Sequence, residues 1–201
     1  MMIDQQSGAA ERFPPIDLLL SGASDFQTKV SALNAREAGA GNLILGETVA
    51  PGIVSTLNLD EPQRYVLLTR THLEGMRLSP ELARTGALAR LRMAANDLRI
   101  EGIGGRFRVW TPAAPDLTAS LMLVADTWLN NDAINGAPVF AAGGRTSLYV
   151  CGANDHEALE DLRQIAEKRY RASAEAPQTE GLPLTRKLLT LREDKLTELD
   201  V

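Results

Sequence analysis

The chain of 201 residues holds a single cysteine, Cys151. No intrachain disulfide can form, and a reducing, cytoplasmic setting is expected. Histidine is almost as rare. His72 and His156 are the only two, and neither belongs to a His-x3-His or Cys-x2-Cys spacing, so no metal site is expected. Long hydrophobic runs are missing as well. The longest, Leu18–Leu20 and Leu121–Ala125, fall far short of the roughly 18 residues of a membrane span. Met1–Gln6 carries neither the basic start nor the apolar core of a signal peptide. Aromatic residues make up 4% of the chain, which leaves the core to aliphatic side chains and makes each Trp worth locating. Lysine numbers only 4 against 17 arginines, so Arg is the default surface cation.

With 44% hydrophobic and 23% charged residues the chain is not disordered, and its length suits one domain or two small ones. A net charge of −5 argues against nucleic acid as a partner. The charge is unevenly spread. Nine arginines between Pro62 and Arg108 face four carboxylates, giving that stretch +5 and the remainder −10. Arg84, Arg90 and Arg92 fall at different angles around a helix, so they read as solvated surface.

The spacing predicts an alternation of helices and hairpins. Residues 1–15 lack periodicity and end in Pro14-Pro15, which predicts a loose leader ahead of a compact unit over 16–201. Ser24 is placed as the cap of a short helix carrying Phe26, Val30 and Leu33, ending near Gly39–Gly41. Leu43–Leu45 reads as a short strand. Ile53–Leu59 and Tyr65–Leu68 flank a polar turn and read as a hairpin. Ser79-Pro80-Glu81 opens a helix with Leu88, Leu91 and Ala95 on one face. The strongest local signal is Leu98–Ile103, Gly104-Gly105, Arg106–Trp110. A two-residue turn pairs Ile103 with Arg106, Glu101 with Arg108, Ile100 with Val109 and Arg99 with Trp110, and lets Phe107 cover Gly102. Asp116 is placed as the cap of a helix bearing Leu117, Leu121, Val124 and Trp128. Val139–Ala141 and Leu148–Val150 form a second Gly-Gly hairpin, and Asn154 with Glu157 makes a capping box for a helix through Tyr170. Leu188–Leu191 and Leu196–Leu199 read as a last hairpin. The fold class is therefore α+β, with antiparallel hairpins packed on helices. The order helix, hairpin, helix, hairpin covers about 24–111 and again about 116–199, which predicts two related halves.

Three segments carry a family resemblance. They are Leu57-Asn58-Leu59-Asp60 with Arg64–Leu67 leading into Leu82–Met93; Ala119–Leu123 with Trp128; and Gly136–Ala141, Arg145, Leu148–Val150, Leu162–Ala166 and Tyr170. From Ile53 onward the chain resembles the YtpQ-like family of bacterial proteins of unknown function. That family usually has a proline where this chain has Gly143-Gly144. The resemblance implies a shared fold and a bacterial source, and it brings no catalytic residue.

Candidate chemistry is sparse. Cys151 ends a strand and His156 opens the next helix, so a thiol with a nearby base is conceivable, while a buried structural Cys is the blander reading. Glu157, Glu160, Asp161 and Glu167 alternate with Arg163 and Lys168, as on a solvated helix face. Gly102-Ile103-Gly104-Gly105 lacks the spacing and the following helix of a dinucleotide fingerprint, so no cofactor is expected. Arg99, Arg106, Arg108 and Trp110 share one face of the Gly104-Gly105 hairpin, the pairing of Arg with Trp that protein contacts favour. The leading expectation is a non-catalytic binding or adaptor protein with a protein partner. The others are an enzyme using Cys151 with His156 or a carboxylate cluster, and a ligand sensor with a pocket between the halves. Oligomeric state is left open.

Overall fold

Two antiparallel sheets and five α-helices make up the described part of a computed structural model, an α+β fold. The structure describes residues 14–36, 39, 44–61, 64–193 and 195–199. Of the expected leader, residues 1–13 lie outside them.

The first sheet is built on β3 (Ile53–Glu61). β1 (Ile16–Gly22) pairs along one edge, and β2 (Gly46–Ala50) and β4 (Arg64–Leu67) share the other. The β3–β4 hairpin is the expected one. No strand was expected over 16–22, yet every residue of β1 is buried. Of the strand expected at 43–45, Leu43 lies outside the described residues, Ile44 makes only an isolated bridge to Thr69, and β2 begins at Gly46. α1 (Ala23–Arg36) starts one residue before Ser24 and buries none of its side chains fully. α2 (Arg70–Gly75) is closed by Thr69 and His72, whose side chains each bond the other's backbone N–H. α3 (Pro80–Ala94) begins as expected. Ser79 Oγ accepts from the Leu82 N–H at 3.1 Å, and Pro80 takes a first-turn position that needs no N–H.

The second sheet has the order β10-β9-β7-β8-β6-β5. β5 (Arg99–Ile103) and β6 (Arg106–Trp110) pair in the expected register at every position. Gly104 and Gly105 have φ of +64° and +77°, the left-handed pair that a two-residue hairpin matched to strand twist requires. Phe107 lies over Gly102, where any Cβ would collide with its ring. β7 (Pro138–Ala141) and β8 (Leu148–Gly152) form the second hairpin, β9 (Leu188–Arg192) and β10 (Lys195–Glu198) the third. Between β6 and β7 the structure departs from expectation. Instead of an α-helix capped by Asp116, the chain forms 3-10 turns over Pro115–Leu117 and Ala119–Thr127, broken at Val124 (φ −129°, ψ 32°). Nearly all of Leu117–Ala125 is buried, so the helical spacing of its apolar residues does not mark one face of an amphipathic helix. α4 (His156–Glu175) is capped by Asp155, whose carboxylate accepts from the Ala158 N–H at 3.0 Å, and not by Asn154. α5 (Pro177–Glu180) follows it.

Strand alternation sorts the second sheet into two faces. Val109, Phe140, Leu148, Val150, Leu189 and Leu196 join Leu19, Leu20 and Ile53 of the first sheet and the 3-10 segment in one core. Val139, Ala141, Cys151 and Leu188 point to the opposite face, where Ala158, Leu159, Leu162 and Ala166 of α4 cover them. A third cluster packs Ala83 and Ala87 of α3 on Ile16, Leu18 and Leu57. The halves do not repeat in strand order. The two hairpins of 24–111 lie in different sheets, whereas those of 116–199 share one, and this removes the basis for a groove at a seam between halves.

Candidate functional site

β6 carries Arg106, Arg108 and Trp110 on the face that α4 covers, because alternate residues of a strand point the same way. The β6–β8 register sets Arg106 opposite Cys151 and Arg108 opposite Tyr149. α4 lies over β7 and β8, so its flank forms a seam with β6. Arg106 closes one end by an ion pair with Asp161. Next to that pair, Gln164, Ile165 and Lys168 complete a hollow of about 240 Å3. Further along, Arg108, Trp110, Thr111, Thr118, Thr146 and Arg169 are among the residues lining a cleft of about 300 Å3.

The polar groups of this cleft divide into bound and unbound. The Arg169 guanidinium donates to the Tyr149 hydroxyl at 3.1 Å and to Glu180 at 3.4 Å. Thr146 Oγ1 donates to the Glu180 carbonyl at 2.7 Å. Arg108, by contrast, lies 4.9 Å from the Trp110 ring centroid as a cation over an aromatic face, and no carboxylate pairs with it among the described residues. Thr111 is 1% exposed and its hydroxyl has no hydrogen-bond partner. The cleft thus offers one exposed guanidinium, one aromatic ring and one unmatched hydroxyl.

Sequence reasoning reached part of this site. Arg106, Arg108 and Trp110 come together as expected. Arg99 is cross-strand from Trp110 but exposed on β5, and the cation over the ring is Arg108, not Arg99. Glu101 faces Arg108 in register without forming an ion pair among the described residues. Tyr149, Arg169 and Thr111 were missed as site residues. Thr111 simply follows Trp110, whereas Tyr149 and Arg169 arrive through the β6–β8 pairing and α4, contacts about 40 to 60 residues apart in the chain that leave no local pattern.

The other candidates fare differently. Cys151 is fully buried, and burial, helped by the nearby Asp155 carboxylate, pushes its thiol up to about 12. His156 is exposed on the first turn of α4, and no hydrogen bond joins it to the thiol. A thiol held neutral in this way is no nucleophile near neutral pH. The α4 carboxylates mostly have partners: Glu160 with Arg163, Asp161 with Arg106, Glu167 with Arg171 and Arg186. No group of His, Cys, Asp or Glu that could hold a metal occurs among the described residues. A hollow of about 640 Å3 is lined by α4 alone, from Arg163 to Glu175, and therefore lacks a second wall. No described helix is long and apolar enough to cross a membrane.

A second polar constellation lies on the first sheet. Arg90 Nε donates to the buried Asp17 carboxylate at 2.8 Å, with Asp60 at 3.6 Å from the same guanidinium. Desolvation raises the Asp17 pKa even against Arg90, and burial beside Asp17 and Asp60 lifts the Tyr65 hydroxyl to about 12. Arg145, 8% exposed, reaches from the β7–β8 connection to the Leu20 carbonyl (3.1 Å) and Ser21 Oγ (3.3 Å) of β1. Arg145 thus ties one sheet to the other, while Arg90 fixes α3 on the first sheet.

No family model, curated protein or solved structure matches this chain.

Proposed function

We propose that the chain is a non-catalytic binding protein whose contact site is the α4–β6 seam, and that it takes an acidic side chain of a protein partner there. The observation that carries this reading is Arg108, stacked on Trp110 and without a carboxylate, at the mouth of a 300 Å3 cleft. A carboxylate reaching the cleft gains a charge-assisted hydrogen bond from Arg108, and Trp110 offers broad apolar area beside it. Lys168, also without an ion-pair partner among the described residues, extends positive charge along the seam. The YtpQ-like resemblance is compatible with this reading, since it brings no catalytic residue. A cytoplasmic setting fits as well, because it keeps the lone thiol reduced.

The test is selection from a displayed random-peptide library on the intact chain, with the Arg108→Ala/Trp110→Ala variant as counter-target. Acidic sequences enriched on the native chain should bind the double variant at least about tenfold more weakly, a loss of about 1.4 kcal/mol. Equal enrichment on both proteins would remove the seam from consideration.

A further inference from the structure

We propose that β5 is a pairing edge through which two copies of this chain join their six-stranded sheets. β5 ends the strand order, and among the described residues its backbone bonds only to β6. Arg99, Ile100, Glu101 and Gly102 are all exposed. Ile100, at 47%, is one of three exposed large hydrophobic residues among the described residues. No proline, bulge or lysine interrupts Arg99–Ile103, and the two charges it carries, Arg99 and Glu101, are of opposite sign.

The hydrogen-bond parity of the hairpin fixes how a second strand can add. In a two-residue hairpin the pair beside the turn, Ile103 with Arg106, exchanges both backbone bonds, and bonded pairs alternate with unbonded ones. Arg99, Glu101 and Ile103 therefore spend their backbone groups on β6. Ile100 and Gly102 direct theirs outward.

A two-fold axis normal to the sheet allows registers centred on Ile100, Glu101 or Gly102 to use those outward groups, and the last of these sets Glu101 against Ile103 with no charge pair. Centred on Ile100, the strand sets Ile100 against Ile100 of the second copy as a bonded pair. Arg99 then faces Glu101 of the second copy, twice over, at the unbonded positions where side chains stand closest. Centred on Glu101, the strand would set two carboxylates against each other. Charge complementarity selects the first register, and it selects a second copy of this chain as the occupant, since the alternating Arg-Ile-Glu sequence is its own complement.

The far edge offers no such opening, because β10 packs against β2 of the first sheet. A two-fold axis normal to the sheet keeps faces in place, so both α4–β6 seams would lie on one side of the joined sheet. The dimer stands independently of what those seams bind.

Sedimentation of the full chain tests this across about 5 to 200 µM, a range suited to a small edge interface whose occupancy follows mass action. The mass should rise with concentration from 21.7 kDa toward twice that value, and less so at high salt. Arg99→Glu, with an unchanged circular-dichroism spectrum, should weaken association at least about tenfold by setting Glu against Glu. The swapped double variant Arg99→Glu/Glu101→Arg should restore it. A native chain that stays monomeric throughout, a dimer indifferent to Arg99→Glu, or a folded swap variant that fails to associate would each overturn the proposal.

Discussion

β1 and β5 are both strands that carry charged residues, and the two treat those charges in opposite ways. On β1, Asp17 is 2% exposed and held by Arg90, while the carbonyl of Leu20 and the hydroxyl of Ser21 receive the buried Arg145. On β5, Arg99 and Glu101 are exposed and form no ion pair among the described residues. Burial makes an unmatched polar group expensive, and the polar side chains of β1, Asp17 and Ser21, are both bonded to arginines that belong to the frame. Exposure removes that demand, so unmatched charge on the β5–β6 hairpin is free to meet something else. The location of unpaired charge, more than its amount, separates the frame of this molecule from the surface proposed for contact.

The largest expected effect lies on the buried side of that comparison. Arg145→Ala removes two bonds that hold the β7–β8 connection to β1 and strands the Leu20 carbonyl and Ser21 hydroxyl in the interior. A loss of about 3 kcal/mol in urea-unfolding free energy is expected. A loss under about 1 kcal/mol would mean that water replaces the guanidinium, and the contrast between the two strands would collapse.

Next in size is the turn of the exposed hairpin. Gly104→Ala pays only for its left-handed backbone, since nothing lies within 4 Å of an added Cβ. Gly105→Ala pays for that backbone and also drives a methyl into the Asp155 carboxylate that caps α4. Losses of about 1 and about 2 kcal/mol are expected, measured as paired denaturation curves. Equal losses would show that α4 and the hairpin are uncoupled.

These cases also show what sequence can and cannot convey. The β5–β6 register was legible to the residue because everything that sets it lies within thirteen residues: two glycines, alternating side chains and facing opposite charges. β1 was invisible for the converse reason. A strand buried on both faces shows no alternation, Asp17 argues locally against burial, and the residue that permits its burial, Arg90, is 73 positions away. The α4–β6 seam falls between these extremes. Arg106, Arg108 and Trp110 were found because they share a strand face, whereas Tyr149 and Arg169 enter only through non-local pairing. The supposed Asp116 helix failed for a related reason: helical spacing was present, but the segment is buried on nearly every side, so that spacing did not mark one face of an amphipathic helix, and it forms 3-10 turns.

Alkaline pH sharpens the contrast at a smaller scale. The Cys151 thiol is raised from 9.0 to about 12 by burial first and by Asp155 second, and the Tyr65 hydroxyl from 10.0 to about 12 by burial first and by the Asp17 and Asp60 charges. A raised folded-state pKa contributes stability that is present below the unfolded value and lost as pH climbs through the folded one. Stability should therefore hold to about pH 9 as far as these groups are concerned and then fall toward pH 12. Cys151→Ala should flatten the first part of that fall by on the order of 1 kcal/mol at pH 10.5. A thiol that reacts quickly with a disulfide reagent in the native state at pH 8 would contradict its burial.

The smallest stability effect belongs to Arg108→Ala, and its smallness is the informative part. Arg108 stacks on Trp110, and no hydrogen bond or ion pair among the described residues depends on it. Truncating an exposed side chain of this kind should move the unfolding free energy by no more than about 0.5 kcal/mol. The same change should weaken capture of acidic peptides at least about tenfold if the seam is the contact site. Arg106→Ala is the matched control on the same strand face, because it breaks the tie to Asp161 on α4 and leaves the Arg108–Trp110 stack in place. Its signature should be the reverse: a measurable loss of stability with peptide binding largely kept. Two arginines two residues apart would then fall on opposite sides of the division that β1 and β5 draw, one holding the fold and one free to bind. If Arg108→Ala destabilises the chain as much as Arg106→Ala does, that division fails at the very place where function was assigned to it.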